Sequence, residues 1–256
     1  MQSKLKTGIK GPHTVGVLGN IKISNGIGKL VLDNKTIAES SKPGQFVSIL
    51  CKNLVLRRPF SVAGTDGNKF EILYKIKGKG TQYLASLKAG DKADIIGPFG
   101  NGFGIEDKNS LLIGCGVGIA PMLFLKKSLE LQKTKHTLVA CSQTFFREIS
   151  LSTDDVVITE DGSHGLKGRL DNYLENIINE NMPEKIYTCG PNPAMSYISQ
   201  IAKKYNIPVE AALEREFACG TGVCMGCVIQ VNRDDKILNK RICKDGPVFD
   251  GNEVLW

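Results

Sequence analysis

The sequence is poor in the residues that usually perform catalysis directly. Only three histidines occur in 256 residues, and His13, His136 and His164 share no metal-ligand spacing. No Ser/His/Asp set and no paired-carboxylate arrangement stands out. These absences disfavour hydrolytic and histidine–metal chemistry and leave reactions in which bound cofactors do the hard step. Long apolar runs are missing too. The most apolar window, Leu111 to Leu125, is broken by three glycines and a proline, and falls short of the roughly 20 residues that span a bilayer. The first twelve residues are polar, with Gly and Pro and no apolar leader core, so a soluble, cytoplasmic protein is expected. The net charge is +7, but the lysines are dispersed. The densest run is Lys75-Ile-Lys77-Gly-Lys79, and no aromatics interleave with arginines. That pattern reads as a solvated lysine-rich surface, with no nucleic-acid partner.

Cysteine, by contrast, is plentiful and patterned. Cys219-Gly-Thr-Gly-Val-Cys224-Met-Gly-Cys227 is followed, after fifteen intervening residues, by Cys243. C-x4-C-x2-C…C is the plant-type [2Fe–2S] spacing. Two sulfide-bridged irons need four thiolates converging on a small object, so the loop supplying three must wrap closely. Gly220, Gly222 and Gly226 remove obstructing Cβ atoms and permit φ > 0, and backbone N–H groups in such a loop can face the cluster sulfurs. A structural zinc site, the alternative, normally draws on two separated C-x2-4-C knuckles. A non-enzymatic zinc docking module is therefore the competing reading from another functional class. The other cysteines (Cys51, Cys115, Cys141 and Cys189) lie among apolar residues, like free thiols in a reducing compartment.

The length suits more than one domain. Residues 13–104 read as short strands and tight turns: Val15 and Val17, Ile21 and Ile23, Lys29–Leu32, Gln45–Leu50 after the Pro43-Gly44 turn, and Ala93–Ile96 before Gly97-Pro98. In Phe70–Lys77, Phe70, Ile72, Tyr74 and Ile76 share one face, with Leu73 the exception. A small antiparallel barrel is expected. Within it, Arg57-Arg58-Pro59-Phe60-Ser61 puts Arg58 and Phe60 on one strand face. Arg58 can reach a pyrophosphate and Phe60 can stack on a planar ring. Ser61 would need a strand end or bulge to join them. Gly80-Thr81 before the helical pattern Gln82–Leu87 is a phosphate site of helix-N-terminal type.

From about residue 105 the period changes to alternating strands and helices: strands at 110–113, 137–142, 156–159, 185–189 and 208–213, and helices at 121–133, 169–179 and 193–205. Such alternation predicts a doubly wound parallel α/β sheet with ligands at the strands' carboxyl ends. Gly114-Cys-Gly116-Val-Gly118-Ile-Ala120-Pro121 and Cys189-Gly190-Pro191 both fall there. The expected organisation is a barrel over 1–104, a nucleotide domain over 105–210 and a cluster domain over 211–256.

Taken together, these motifs resemble the electron transfer subunits of dihydroorotate dehydrogenase B, within the ferredoxin–NADP reductase superfamily. The resemblance spans the chain. It rests on Pro43-Gly-Gln-Phe46, Arg58-Pro-Phe-Ser61, Leu73-Tyr-Lys75, Gly80-Thr81, Gly97-Pro-Phe-Gly100, the Gly114–Pro121 loop, Tyr187-Thr-Cys-Gly-Pro191 and the four spaced cysteines. It implies that Arg58, Pro59, Phe60, Ser61, Leu73, Tyr74, Lys75, Gly80 and Thr81 hold FAD. It likewise implies NAD at Gly114, Gly116, Gly118, Cys189, Gly190 and Pro191, and a [2Fe–2S] cluster on Cys219, Cys224, Cys227 and Cys243. No catalytic side chain is implied. Dihydroorotate would be oxidised on the FMN of a partner catalytic subunit, in a heterotetramer of two of each chain. Electrons would pass through cluster and FAD to NAD+, in pyrimidine biosynthesis.

Two departures matter. Cys115 stands where such chains usually carry another glycine. The segment Cys141–Arg147 lacks a clean acidic grip for a ribose hydroxyl; Ser142 or Arg147 could accept a 2′-phosphate, whereas Glu160 and Asp161 favour NAD. Within the superfamily, the FAD/[2Fe–2S] subunit of an NADPH-linked ferredoxin or sulfide oxidoreductase is the competing resemblance. It is expected to carry aspartate at the first cluster position, which Cys219 argues against.

Overall fold

The computed structural model describes residues 11–146 and 149–256. Six strands come first: β1 (His13–Ser24), β2 (Ile27–Asp33), β3 (Phe46–Leu50), β4 (Arg58–Asp66), β5 (Lys69–Lys75) and β6 (Lys92–Phe99). They close an antiparallel barrel in the order β1-β2-β5-β4-β3-β6. Period-two alternation delivers Val15, Leu30, Leu32, Val47, Ile49, Phe70, Ile72, Tyr74 and Ile95 to one buried core. Ile76 does not join it. The strand stops at Lys75, and Ile76 is 41% exposed. Leu73, the exception to the alternation, is buried on the opposite face, against the neighbouring sheet and its helix. Helix α1 (Lys35–Ser40) was not expected; its cap is Asn34, whose side chain accepts the Ile37 N–H at 2.9 Å. Helix α2 (Lys79–Ser86) begins three residues before the expected pattern, so Gly80 and Thr81 lie inside its first turn.

The second region is a seven-stranded sheet. Its strands are β7 (Ser110–Cys115), β8 (His136–Ser142), β9 (Val156–Thr159), β10 (Leu166–Lys167), β11 (Lys185–Cys189), β12 (Val209–Ala212) and, from the far end of the chain, β15 (Val248–Asp250). The order is β10-β9-β8-β7-β11-β12-β15. The pairings are parallel except for β15, which runs antiparallel to β12. Helix α3 (Ile119–Gln132) packs Met122, Leu125 and Leu129 on one face. Helices α4 (Leu174–Asn181) and α5 (Asn192–Lys204) bring Leu174, Ile178, Ile198 and Ala202 to the other. Residues 170–172 form a short 3-10 turn, so the helix expected from 169 starts at 174.

The third segment contains the hairpin β13 (Val228–Arg233) and β14 (Lys236–Arg241). Asp234 and Asp235 both adopt positive φ at its two-residue turn, as right-twisted hairpins require. Helix α6 (Ile242–Asp245) leads into β15. The 210/211 division drawn from sequence falls inside β12, and the chain returns through β15 to the sheet it had left. Among the described residues, no helix is long and apolar enough to cross a membrane.

Candidate functional site

A cavity of about 230 Å³ opens where barrel, sheet and C-terminal segment meet. Of the residues expected around FAD, Pro59, Phe60, Ser61, Leu73, Tyr74, Lys75 and Thr81 line it. Phe60 and Ser61 reach it together, and the β4–β5 register breaks just beyond them, between Val62 and Gly64. The Tyr74 hydroxyl is committed to the protein. It donates to Asn20 Oδ1 at 2.7 Å, while Asn20 Nδ2 donates to the Leu84 and Leu87 carbonyls at the end of α2. Gly28 makes room for this ring, since a Cβ there would lie 2.4 Å from the Tyr74 hydroxyl. Thr81 caps its own helix, its Oγ1 accepting the N–H groups of Lys77 and Gly78 at 2.8 and 3.2 Å. Arg58 and Gly80 stand behind the wall. Arg58 donates to the Leu56 carbonyl at 2.8 Å, and a Cβ on Gly80 would approach the Arg58 stem at 3.2 Å. Gly80 thus provides the space in which Arg58 lies.

Sequence reasoning missed the far wall of this cavity. Leu213, Glu214, Arg215 and Phe217 follow β12 and face the barrel, with Val117 from the 3-10 turn before α3 and Ala120 from its start. Glu214 is open to the cavity yet hemmed in by protein; desolvation pushes its carboxyl up, and the Lys77 cation pulls it partly back. Cys189, expected among the NAD residues, lies at this same cavity, with its thiol pushed well up by burial.

A second cavity, about 460 Å³, lies at the carboxyl ends of β7, β8 and β9. Gly116 and Pro191 line it, with Ser142, Glu160 and Arg169. Gly116 takes φ +60, and a Cβ added to it would meet nothing within 4 Å, so its role is conformational and its face is open. Gly114, Gly118 and Gly190 act differently. A Cβ on them would collide with Ile119 Cα at 2.6 Å, the Cys189 carbonyl at 2.3 Å and Cys115 Cβ at 2.7 Å, respectively. They let the strand ends and the start of α3 close together, and do not line the cavity themselves. Asp161 is engaged in a turn, its Oδ1 accepting the Ser163 N–H. Arg147 lies outside the described residues.

The four spaced cysteines arrange themselves as two pairs. Cys227 and Cys243 are buried with their sulfurs 3.3 Å apart. Cys219 is in side-chain hydrogen-bonding contact with Cys224. Burial pushes the Cys219 thiol up, but the backbone N–H groups of Cys224 and Thr221, 3.4 and 3.5 Å from its sulfur, bring it down to about 5. Burial and the neighbouring Cys227 push Cys243 up to about 12. Among the described residues no three His, Cys, Asp or Glu side chains are gathered closely enough for one metal ion. Two pairs on a loop rich in backbone donors suit a two-iron centre, with one pair per iron, better than a single zinc ion. Gly220 and Gly222 take φ +67 and +84, as expected of the wrapping loop, and Arg241 donates to the Gly222 carbonyl at 2.7 Å. Gly226 is a correction. It is not among the positive-φ glycines, and a Cβ there would lie 3.6 Å from Ala218 Cβ and Cys224 Sγ.

The cluster loop and the first cavity touch. Phe217, in the cavity wall, packs edge-on to Phe46 of β3 at 5.2 Å. A Cβ at Gly220 would sit 3.5 Å from Ser48 Oγ and 3.8 Å from Phe217. Only Ala218 and Cys219 separate the aromatic wall from the first turn of the loop. On the outward side, Val223 and Met225 are 86% and 59% exposed.

Comparison with known proteins agrees with this geometry. Residues 214–255 match the family model of the iron–sulfur cluster binding domain of dihydroorotate dehydrogenase B. The chain is similar to the dihydroorotate dehydrogenase B (NAD(+)) electron transfer subunit of Caldanaerobacter subterraneus subsp. tengcongensis, 40% identical over 94% of this chain and 97% of that one. It is 35% identical to the Geobacillus kaustophilus subunit of the same name, over 89% of this chain and 92% of the other. Among solved structures, an NADH-dependent reduced ferredoxin-NADP oxidoreductase, described in connection with flavin-based electron bifurcation, superposes with TM-score 0.84 at 28% identity, covering 95% of this chain and 90% of that one. The FAD/NAD binding domain of a Vibrio cholerae nitric oxide dioxygenase shares the fold, with TM-score 0.68 at 19% identity over 79% of this chain and 98% of that domain. With near-full-length relatives at this identity, the chain belongs to the family of dihydroorotate dehydrogenase B (NAD(+)) electron transfer subunits.

Proposed function

We propose that this chain is the electron conduit between a dihydroorotate-oxidising, FMN-containing catalytic subunit and NAD+, working in the cytoplasm in pyrimidine biosynthesis as a heterotetramer of two of each subunit. FAD is assigned to the cavity lined by Phe60, Ser61, Tyr74 and Thr81, the [2Fe–2S] cluster to Cys219, Cys224, Cys227 and Cys243, and NAD to the cavity at Gly116 and Pro191. When bound, the cluster exchanges single electrons and the flavin exchanges both single electrons and hydride, so a one-electron donor can reduce a nicotinamide that accepts only hydride.

The chain's residues supply position and exclusion. Phe60 and Tyr74 offer flat apolar walls for a ring system, and the Asn20 hydrogen bond fixes the Tyr74 ring. The Arg58 stem lies beside Gly80 in the first turn of α2, whose N-terminal dipole and N–H groups favour a pyrophosphate. Cys189 places the nucleotide loop against the flavin cavity, where two rings would have to meet. The observation that carries the reading is the contact through Phe217, which joins the cavity wall to the cysteine loop. Val223 and Met225 give that loop an apolar outer face against which a donor subunit could dock.

Co-expression with candidate catalytic subunits and assay of dihydroorotate-dependent NAD+ reduction tests the proposal. The expected complex is yellow-brown, with flavin bands and iron–sulfur charge-transfer absorbance. Turnover with reduced ferredoxin and NADP, and none with dihydroorotate, would select the alternative suggested by the ferredoxin-NADP oxidoreductase superposition. A colourless protein holding stoichiometric zinc would reject both.

A further inference from the structure

The proposed electron path does not use Cys115 and Cys141, yet the structure brings them together at the nucleotide cavity. Strands β7 and β8 pair in parallel without a register shift from Ser110↔His136 to Cys115↔Cys141. Registered residues on neighbouring strands point to the same face and lie about 4.8 Å apart. That spacing is inside the Cα separation a disulfide accepts, roughly 4.4–6.8 Å. Both residues line the cavity and both are half-buried. Gly190 closes the space behind Cys115, because a Cβ at Gly190 would lie 2.7 Å from Cys115 Cβ. Two thiols therefore face one another on the floor of a pocket open to small molecules.

We propose that Cys115 and Cys141 form a peroxide-sensitive dithiol that reversibly closes to a disulfide and weakens nucleotide binding. The effect on nucleotide rests on the assignment of NAD to this cavity; the dithiol itself does not. The two thiols interact, and that contact, with burial, pushes the Cys141 thiol well up. Either sulfur can attack first, with the other resolving. When Cys115 leads, its sulfur attacks one oxygen of hydrogen peroxide, the O–O bond breaks, and the departing hydroxide takes a proton to become water. The Cys141 sulfur then attacks the sulfur of the resulting Cys115 sulfenic acid. An S–S bond forms, the S–O bond breaks, and the leaving hydroxide takes the Cys141 proton as a second water. Two thiols are oxidised by two electrons and one peroxide is reduced to two waters.

The disulfide joins the last residue of β7 to the end of β8, immediately before Gly116. Gly116 must hold φ +60 to turn the chain into α3 beneath the nucleotide. Pulling Cys115 toward Cys141 twists this turn and fills the pocket floor.

The test uses the cofactor-loaded protein treated with hydrogen peroxide, followed by alkylation of remaining thiols and peptide mass spectrometry. The expected product is a Cys115–Cys141 cross-linked peptide pair lighter by two hydrogens, removed by dithiothreitol and formed more slowly under excess NAD+. NADH affinity, measured by equilibrium binding, should fall about tenfold or more when the bridge forms and recover on reduction. Cys141→Ser and Cys115→Ser should each abolish the cross-link and halt at a sulfenic acid on the remaining cysteine that dimedone traps. Full alkylation of both cysteines after peroxide, while other thiols are oxidised, would overturn the dithiol. A quantitative bridge that leaves NADH affinity unchanged would overturn its control of nucleotide. NADH that fails to bind the reduced protein would reject the nucleotide assignment and its control together, with the cross-linked peptide still deciding the dithiol.

Discussion

The barrel supplies nearly all of its own core: Val15, Leu30, Val47, Ile72 and Ile95 come from its six strands, and among the described residues Phe124 of α3 is the one buried member from beyond it. The cluster segment does not. Its hydrophobic cluster combines Cys227, Val231, Ile242 and Phe249 with Phe46 from β3, Met195 from α5 and Ala211 from β12. One region is a scaffold that can stand before its ligand arrives. The other depends on residues borrowed from both neighbours and, by the proposed reading, on the metal its thiols hold. The cavity proposed for the flavin is built from the first kind of region on one side and the second on the other, which allows its two walls to respond differently to damage.

The largest separation is expected from Cys224→Ser. It should remove iron and lower donor-dependent NAD+ reduction by ~100-fold or more, while flavin content and flavin reduction by NADH remain nearly unchanged. Iron analysis and visible absorbance check it, and loss of flavin together with iron would erase the distinction between the two regions. Next comes Phe249→Ala, which should cost about 3–4 kcal/mol and release the cluster at lower temperature than the flavin. Ile72→Ala, at a fully buried barrel position, should cost about 2–4 kcal/mol and release flavin first. Differential scanning followed at cluster and flavin wavelengths would show the order, and a single shared transition for both variants would break the comparison.

Glu160→Ala probes the nucleotide cavity alone. Loss of its carboxylate should weaken NADH by about tenfold, ~1.4 kcal/mol, with little effect on NADPH, and an unchanged preference would remove Glu160 from ribose recognition. The smallest effect concerns acid. Hydrogen bonds from Lys108 and then Lys185 hold the Glu106 carboxyl down at about 2. Its folded pKa lies below the unfolded value of roughly 4.3. The stabilisation is therefore fully present above that value and is lost as pH falls through 2. Glu106 is 41% exposed in its side chain, so solvent screening limits this to less than about 1 kcal/mol. Glu106→Gln should flatten the pH dependence of Tm between 5 and 2 and leave it unaltered near neutrality.

Local pattern made much of this molecule readable. Period-two strands announced the barrel, strand–helix alternation announced the sheet, and the spacing Cys219/Cys224/Cys227 announced the loop. What stayed hidden was carried by contacts between distant segments. Gly114, Gly118 and Gly190 looked like part of one NAD-binding set, but their collisions are with Ile119, Cys189 and Cys115, partners that only the folded sheet brings near. Arg58 looked free to grip a phosphate, but its guanidinium donates to the Leu56 carbonyl. Phe217 carried no signal because a single aromatic after a strand has no periodicity. The Asn34 cap of α1 was visible in principle, but a six-residue helix is too short to show a repeating face.

Strand β15 sets an order of assembly during synthesis. It covers the free edge of β12 through Glu210↔Asp250, Ala211↔Phe249 and Ala212↔Val248. Asn101, at the exit of the barrel, exchanges hydrogen bonds of 2.8 and 3.0 Å with Val248. These residues leave the ribosome after all four spaced cysteines. Until they emerge, the free edge of β12 is open and the thiol segment lacks Phe249, which shares its hydrophobic cluster with Cys227 and Cys243. A chain truncated before Val248 would keep every proposed cofactor residue and still lack the latch that holds its loop against the flavin wall.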